Sequence, residues 1–247
     1  MSEVISNSDP LANVRVVLCE TSHPGNIGAA ARAMKTMGVS ALHLVRPKRF
    51  PDPEATWRAT SANDVLDAAK VSESLDEALR GVVFAVACSA RRRDVAVAGI
   101  DARVGAARLI DIARSQPVAL VFGNESYGLT TEDVNRCQVL ASIPANPRFS
   151  SLNLAAAVQV FAYELRMAAC IEPGPAPAAP ALATHDEVEG FYGHLEQTMA
   201  QVGFLDPEHP KKLMPRIRRL FARAQLEPEE VNILRGILKA LTHPKKR

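Results

Sequence analysis

Five short apolar runs rich in β-branched residues, at 14–19, 41–45, 82–87, 118–122 and 139–143, alternate with helical patterns, and that alternation constrains the fold more than any other feature. Continuous apolar runs of this length suit strands buried on both faces, as in a parallel sheet. Helical spacing fills the gaps at 27–37, 75–80, 102–114 and 131–136, with Gly38 and Gly81 placed to end the first two segments. The pattern predicts an α/β fold: a parallel sheet with helices on both faces. With 247 residues, 47% apolar and 23% charged, there is material for one large domain and a small appendage.

After Asn153 an alanine-rich, weakly charged stretch runs to Cys170, long enough for a substantial helix packed on the sheet or facing a second copy. Next comes a segment with Pro173, Pro175, Pro177 and Pro180, which cannot continue a helix and suits a semi-rigid spacer. The expected organisation is a sheet domain over 1–171, a Pro/Ala-rich linker over 172–185 and a helical domain over 186–247. Three helices are expected in the tail, at 186–202, 210–224 and 229–241, with Pro228 suited to a helix start.

Several function classes are disfavoured. No apolar run reaches membrane-helix length, and residues 1–10 are polar without a signal-peptide core, so a cytoplasmic protein is expected. Cys19, Cys88, Cys137 and Cys170 form no C-x-x-C pair and have no neighbouring histidines, so most of them read as buried thiols and no metal is expected. A net charge of +2 neither supports nor excludes RNA binding, which must rest on local clusters.

Three segments carry candidate chemistry: Asn26-Ile27-Gly28-Ala29-Ala30-Ala31-Arg32, Gly123-Asn124-Glu125 and Ser150-Ser151-Leu152-Asn153-Leu154. Each lies where an apolar run gives way to a loop or a helix start, the place where α/β proteins expose backbone N–H groups to ligands. Gly25 and Gly28 invite a dinucleotide-binding reading, but they stand three apart, and no ribose-binding acid follows Val45 and Arg46. Arg46 could serve a 2′-phosphate, which leaves a nicotinamide oxidoreductase as one alternative. A tight turn and close helix packing account for the glycines equally well. Arg32 sits among alanines on a small apolar face, where a guanidinium needs a carboxylate or phosphate partner. Ser150 or Ser151 would serve as N-cap of the helix that follows.

Together these segments resemble the three motifs of the SPOUT class of S-adenosylmethionine-dependent RNA methyltransferases, in the TrmH-like branch that methylates the ribose 2′-hydroxyl. Matches at 20–28, 32–38, 145–147 with 150–154, 191–197 and 232–238 extend the resemblance over nearly the whole chain, to the bacterial TrmJ family. That family methylates the cytidine or uridine at nucleotide 32 of the tRNA anticodon loop. The resemblance implies a deep trefoil knot in the C-terminal part of the sheet, an exception to the usual absence of knots. It also implies a methyl-donor site formed by Cys88, Ser89, Ala90, Gly123, Ile143, Ser150, Ser151 and Leu152. Arg32 corresponds to the essential arginine, either stabilising phosphate and alkoxide charge or acting as base. Glu125, Ser151 and Asn153 would surround the ribose and donor, with Asn26 orienting the Arg32 loop. A homodimer with composite active sites is implied as well.

Basic clusters that could hold tRNA are Arg46, Lys48 and Arg49; Arg91, Arg92 and Arg93; Lys211, Lys212, Arg216, Arg218, Arg219 and Arg223; and Lys245, Lys246 and Arg247. The tail set recurs at helical spacing, so one helix could present a basic stripe to phosphates. With 5% aromatic residues, base stacking is expected to contribute little. Alternatives are a related methyltransferase with another RNA target and a noncatalytic RNA-binding protein that retains the knot.

Overall fold

The computed structural model describes residues 9–91, 98–171 and 180–242. Its strands are β1 (Val14–Cys19), β2 (Ala41–Val45), β3 (Lys70–Ser72), β4 (Phe84–Cys88), β5 (Ala98–Asp101), β6 (Val118–Phe122) and β7 (Val139–Ser142). They form one sheet in the order β3-β2-β1-β6-β4-β7-β5, and every pairing is parallel. The helices of this part are α1 (Pro24–Thr36), α2 (Pro53–Ala59), α3 (Asn63–Asp67), α4 (Leu75–Ala78), α5 (Ala102–Ala113), α6 (Thr131–Asn135) and α7 (Leu154–Ala169).

Successive strand residues point to opposite faces, and both faces are covered, so the runs are apolar throughout rather than alternating. On one face Val16, Leu18, Leu42, Phe84, Val86 and Leu120 pack with Ile27 and Met34 of α1, Leu109 of α5 and Phe161 of α7. On the other, Val17, Val45, Ala85, Ala119 and Val121 pack with Leu75 of α4 and Val134 of α6. β6 returns to lie between β1 and β4, and β7 enters between β4 and β5. These two returns bring the carboxyl ends of β4, β6 and β7 side by side.

The expected strands at 82–87 and 139–143 shift: β4 runs Phe84–Cys88 and β7 ends at Ser142. β3, β5, α2 and α3 were not foreseen. β3 is a three-residue edge strand whose Lys70 and Val71 are exposed, so it offers no apolar run to read.

The tail forms α8 (His185–Gln201), α9 (Leu213–Ala224) and α10 (Pro228–Thr242). Their own core holds Phe191, Tyr192, Leu226, Val231 and Leu238, with Phe191 and Phe221 edge to face at 4.9 Å. Ala183 joins this core and its N–H donates to the Leu226 carbonyl at 2.8 Å, so the helical unit reaches back before residue 186. Asp76 ties it to the sheet: one oxygen meets Arg136 Nε at 2.7 Å and Nε2 of buried His185 at 2.9 Å. Among the described residues no helix is long and apolar enough to cross a membrane. The expectations placed on residues 1–8, Arg92, Arg93, most of the linker, Lys245, Lys246 and Arg247 lie outside the described residues.

Candidate active site

The carboxyl ends of β4, β6 and β7 and the start of α7 enclose a cleft of about 310 Å³. All eight residues expected to hold the methyl donor line it: Cys88, Ser89 and Ala90 after β4, Gly123 after β6, Ile143 after β7, and Ser150, Ser151 and Leu152 before α7. Phe122 and Phe161 also line it, edge to face at 5.5 Å. Ser89 is fixed to β7 through its N–H, which donates to the Ala141 carbonyl at 3.0 Å.

Gly123 is required by packing. A Cβ there would collide with the backbone of Gly128 and Leu129, because the loop after β6 folds back on itself. Buried Asn124 holds that fold: its Nδ2 donates to the Glu20 carbonyl and to Ser22 Oγ, both at 2.7 Å, and its Oδ1 accepts from Ser126 N at 2.8 Å. The sequence alone assigns Asn124 no role. Its signal was that of an Asx turn, an asparagine two residues ahead of the amide it captures.

Glu125 lies at the centre of a network joining all three motifs. Its Oε2 accepts from Ser22 N at 2.9 Å, and its Oε1 accepts from Asn26 Nδ2 at 2.8 Å and from His23 N at 3.3 Å. Asn26 Oδ1 in turn accepts from Asn153 Nδ2 at 2.9 Å, and Asn153 Oδ1 caps α7 by accepting from Ala155 N at 2.9 Å. The N-cap is therefore Asn153, not Ser150 or Ser151. Both serines line the cleft, and their hydroxyls have no hydrogen-bond partners among the described residues. Burial pushes the Glu125 carboxyl up, but the hydrogen bonds from Asn26 and from the backbone of Ser22 and His23 outweigh it and hold the group below its ordinary value.

Asn26 does not orient a loop carrying Arg32; it bridges Glu125 to Asn153, and Arg32 stands further along α1 as part of the helix. Arg32 is exposed and lines no part of the cleft. Its Nη1 reaches Thr60 Oγ1 at 3.5 Å, and among the described residues it has no carboxylate partner. The sequence left open a structural salt bridge here, and none forms among the described residues.

The basic clusters separate into committed and uncommitted cations. Arg46 pairs with Glu20 at 2.6 Å and Arg49 with Asp52 at 2.7 Å. Arg91 lines the cleft, its Nη2 donating to the Ser126 carbonyl at 3.0 Å. Arg218 pairs with Glu189 and lies 4.5 Å from the centre of the Tyr192 ring. By contrast Lys211, Lys212, Arg216, Arg219 and Arg223 are exposed and form no ion pair among the described residues. Lys212, Arg216, Arg219 and Arg223 follow the spacing of one helix face, opposite Met214, Ile217 and Phe221, which pack on the tail core.

A parallel sheet whose strand ends gather backbone amides, free hydroxyls and a fixed carboxylate around one cleft is the build of an α/β group-transfer fold, and residues 13–163 match the SpoU rRNA Methylase family. The chain belongs to that family. Residues 186–247 match a second family model, the C-terminal domain of the tRNA methyltransferase TrmJ. The chain is 48% identical over 239 residues to the tRNA (cytidine/uridine/adenosine-2′-O-)-methyltransferase TrmJ of Pseudomonas aeruginosa, covering 92% of this chain and 93% of that protein. It is 47% identical over 240 residues to the tRNA (cytidine/uridine-2′-O-)-methyltransferase TrmJ of Salmonella typhimurium, covering 96% and 99%. Among solved structures, TrmJ from Z. mobilis superposes with a TM-score of 0.82 at 31% identity, covering 92% of this chain and 98% of that one. The SpoU methyltransferase AviRb from Streptomyces viridochromogenes, solved with the cofactor AdoMet, gives a TM-score of 0.50 at 25% identity, covering 62% and 58%.

Proposed function

We propose that this protein is a tRNA 2′-O-ribose methyltransferase that uses S-adenosylmethionine to methylate cytidine or uridine at nucleotide 32 of the anticodon loop. The observation that carries this reading is the one cleft lined by residues of both the G-x-E and S-S-L-N segments, in a chain matched over 92% and 96% of its length by relatives named as tRNA 2′-O-methyltransferases.

The cleft suits the donor. Its volume of about 310 Å³ falls within the range of small-molecule sites. Ile143 and Leu152 offer apolar flanks for the faces of adenine, the loops after β4 and β6 offer backbone amides for its edge, and the Gly123 loop admits close approach. When bound, S-adenosylmethionine supplies a sulfonium methyl group to the ribose oxygen. The protein must align that oxygen and stabilise its developing charge. Glu125, ionised and already accepting three hydrogen bonds, makes a poor base and serves by fixing Asn26 and the start of α1. Ser150 and Ser151 keep hydroxyls free for the ribose and donor. Arg32, protonated at any ordinary pH, binds the adjacent phosphate and stabilises alkoxide charge.

An Arg32 that lines no part of its own chain's cleft is accounted for by a homodimer in which it completes the partner's site. Exposed apolar side chains on α7 and α5, Tyr163, Met167 and Val104, support such a contact. The same reading includes the knot, a cytoplasmic location, the division into sheet domain, linker and helical domain, and tRNA contacts from Arg91, Lys211, Lys212, Arg216 and Arg219. The test is incubation with labelled S-adenosylmethionine and unmodified tRNA, followed by mapping of ribose methylation by nucleotide. Signal at nucleotide 32 is expected; donor binding with no methylated tRNA rejects the substrate assignment.

A further inference from the structure

Three basic side chains stand together at the amino end of the sheet, on the face that carries Val17 and Val45. The parallel register pairs His43 of β2 with Lys70 of β3, and Arg15 of β1 with Ala41, two residues before His43. Paired residues, and residues two apart on a strand, share a face, so Arg15, His43 and Lys70 occupy neighbouring strands of one face. With Asn13, Ser40 and Asp64 they line a cleft of about 410 Å³. This cleft lies at the starts of β1, β2 and β3, the opposite end of the sheet from the cleft lined by Gly123 and Ser151.

None of the three has a carboxylate partner among the described residues. Arg15 is partly buried; its Nη1 donates to the Ala78 carbonyl and, at 3.2 Å, to the Arg80 carbonyl, while Nη2 and Nε have no partner among the described residues. His43 is only 8% exposed, yet it lines the cleft and its ring nitrogens have no hydrogen-bond partner among the described residues. Burial, reinforced by the charges of Arg15 and Lys70, pushes its imidazole down to about 4. The nearby carboxylates are engaged elsewhere. Asp64 accepts from Lys35 Nζ at 2.8 Å, and on α4, which packs against β2, Asp76 pairs with Arg136 and His185 while Glu77 accepts from Glu73 N. A buried imidazole and a half-buried guanidinium cost free energy unless hydrogen bonds and opposite charge offset their desolvation. One oxyanion in the cleft satisfies both.

We infer that the cleft at the amino ends of β1, β2 and β3 is an anion site that takes a phosphate-class oxyanion, held by Arg15 and Lys70 with His43 donating a hydrogen bond. A guanidinium presents a planar fork of donors to such an anion, and a lysine adds a mobile point charge. Two sources carry this chemistry, a free inorganic anion and a backbone phosphate of RNA. The site is separate from the methyl-donor cleft, and the inference stands whether or not the methyltransferase reading holds.

The test is NMR of the full-length protein labelled on its histidine rings, with the His43 signal identified by its loss in His43→Gln. Sulfate is the first probe, because its charge stays fixed from pH 8 to pH 5 and any pH dependence then belongs to the protein. Sulfate should shift the His43 signal saturably. A bound anion favours the imidazolium, so the midpoint of His43 should rise from about 4 by about one pH unit or more, and sulfate should bind more tightly as pH falls. Lys70 is exposed, so Lys70→Ala keeps the fold and should weaken sulfate about fivefold. Inorganic phosphate and unmodified tRNA then separate the sources. A His43 shift caused by tRNA and reversed by sulfate assigns the site to RNA backbone; a shift with phosphate and none with tRNA assigns it to a free anion. A His43 signal unmoved by sulfate, phosphate and tRNA overturns the inference, as does a sulfate affinity undiminished in Lys70→Ala.

Discussion

The cleft at the carboxyl ends of β4, β6 and β7 and the basic face of α9 are both polar, yet they hold their side chains in opposite ways. Glu125 and Asn124, which line the cleft, and Asn26 and Asn153, which are hydrogen-bonded into the same network, are each tied to at least two partners, so their positions are set before any ligand arrives. On α9, Arg216, Arg219 and Arg223 project without ion-pair partners among the described residues. The difference follows from the ligands each suits. A reaction requires one geometry, and prearranged groups avoid reorganisation when charge develops. A polyanion requires charge along a path, where unpaired cations on flexible stems adjust to whichever phosphates come near. Substitutions in the first region should therefore act on kcat, and those in the second on KM and salt dependence.

The largest effect is expected at Arg32. Arg32→Ala should lower the single-turnover rate about twentyfold or more, equivalent to about 1.8 kcal/mol, with S-adenosylhomocysteine affinity retained by calorimetry. An unchanged rate would break the comparison, since Arg32 is as exposed as the cations of α9 and is set apart only by its proposed catalytic contact.

Next in size is Glu125→Gln, expected to cost about tenfold in kcat, because an amide NH₂ would face the N–H donors of Ser22 or His23. The pH profile sharpens this. The Glu125 carboxyl is held below its ordinary value of 4.5, so its network stands above that pH and fails only as pH falls through the lower folded value. An acid limb lying above about pH 4.5 must therefore come from another group, and Glu125→Gln should leave that limb in place.

A smaller loss, about fivefold in KM for tRNA at constant kcat, is expected when Arg216, Arg219 and Arg223 are together replaced by alanine. The salt dependence should become shallower by up to about three phosphate contacts. A fall in kcat instead would mean that α9 takes part in organising the cleft.

The smallest effect belongs to the joint between the two regions. A hydrogen bond with His185 and the pair with Arg136 hold the Asp76 carboxyl well below its ordinary range, despite opposing burial. Its contribution to stability is present above the ordinary carboxylate range and declines as pH falls through the folded value. Asp76→Asn should lower stability by about 1 kcal/mol, discounted because Asp76 is 44% exposed, and leave methylation unchanged. Thermal unfolding at neutral pH measures this; an equal loss of activity would show that the tail's docking matters to the chemistry.

Much of the frame was legible. β1, β2 and β6 fall on the expected runs because strands buried on both faces leave no polar positions to blur the pattern. β3 and β5 escaped because short strands with exposed or small residues resemble loops. Within the site, the residue types were visible but their partners were not. Asn26 and Glu125 lie 99 residues apart, and Asn26 and Asn153 lie 127 apart. Arg218 and Arg219 are adjacent in sequence, yet helix phase turns Arg218 toward Glu189 and Tyr192 and leaves Arg219 in solvent.

The sequence by itself determined what is local: apolar period, glycine and proline punctuation, and the three motif segments at strand or helix boundaries. Tertiary structure alone decided the strand order, which sets β6 and β7 on either side of β4 and so brings three distant loops to one cleft. It also decided which charged groups are spent on one another, as Arg46 is on Glu20, and which have no ion-pair partner among the described residues, as Arg32 and the α9 stripe do not. The physical reason is that hydrogen bonds and ion pairs act over a few ångströms. Only the folded chain fixes which residues come that close.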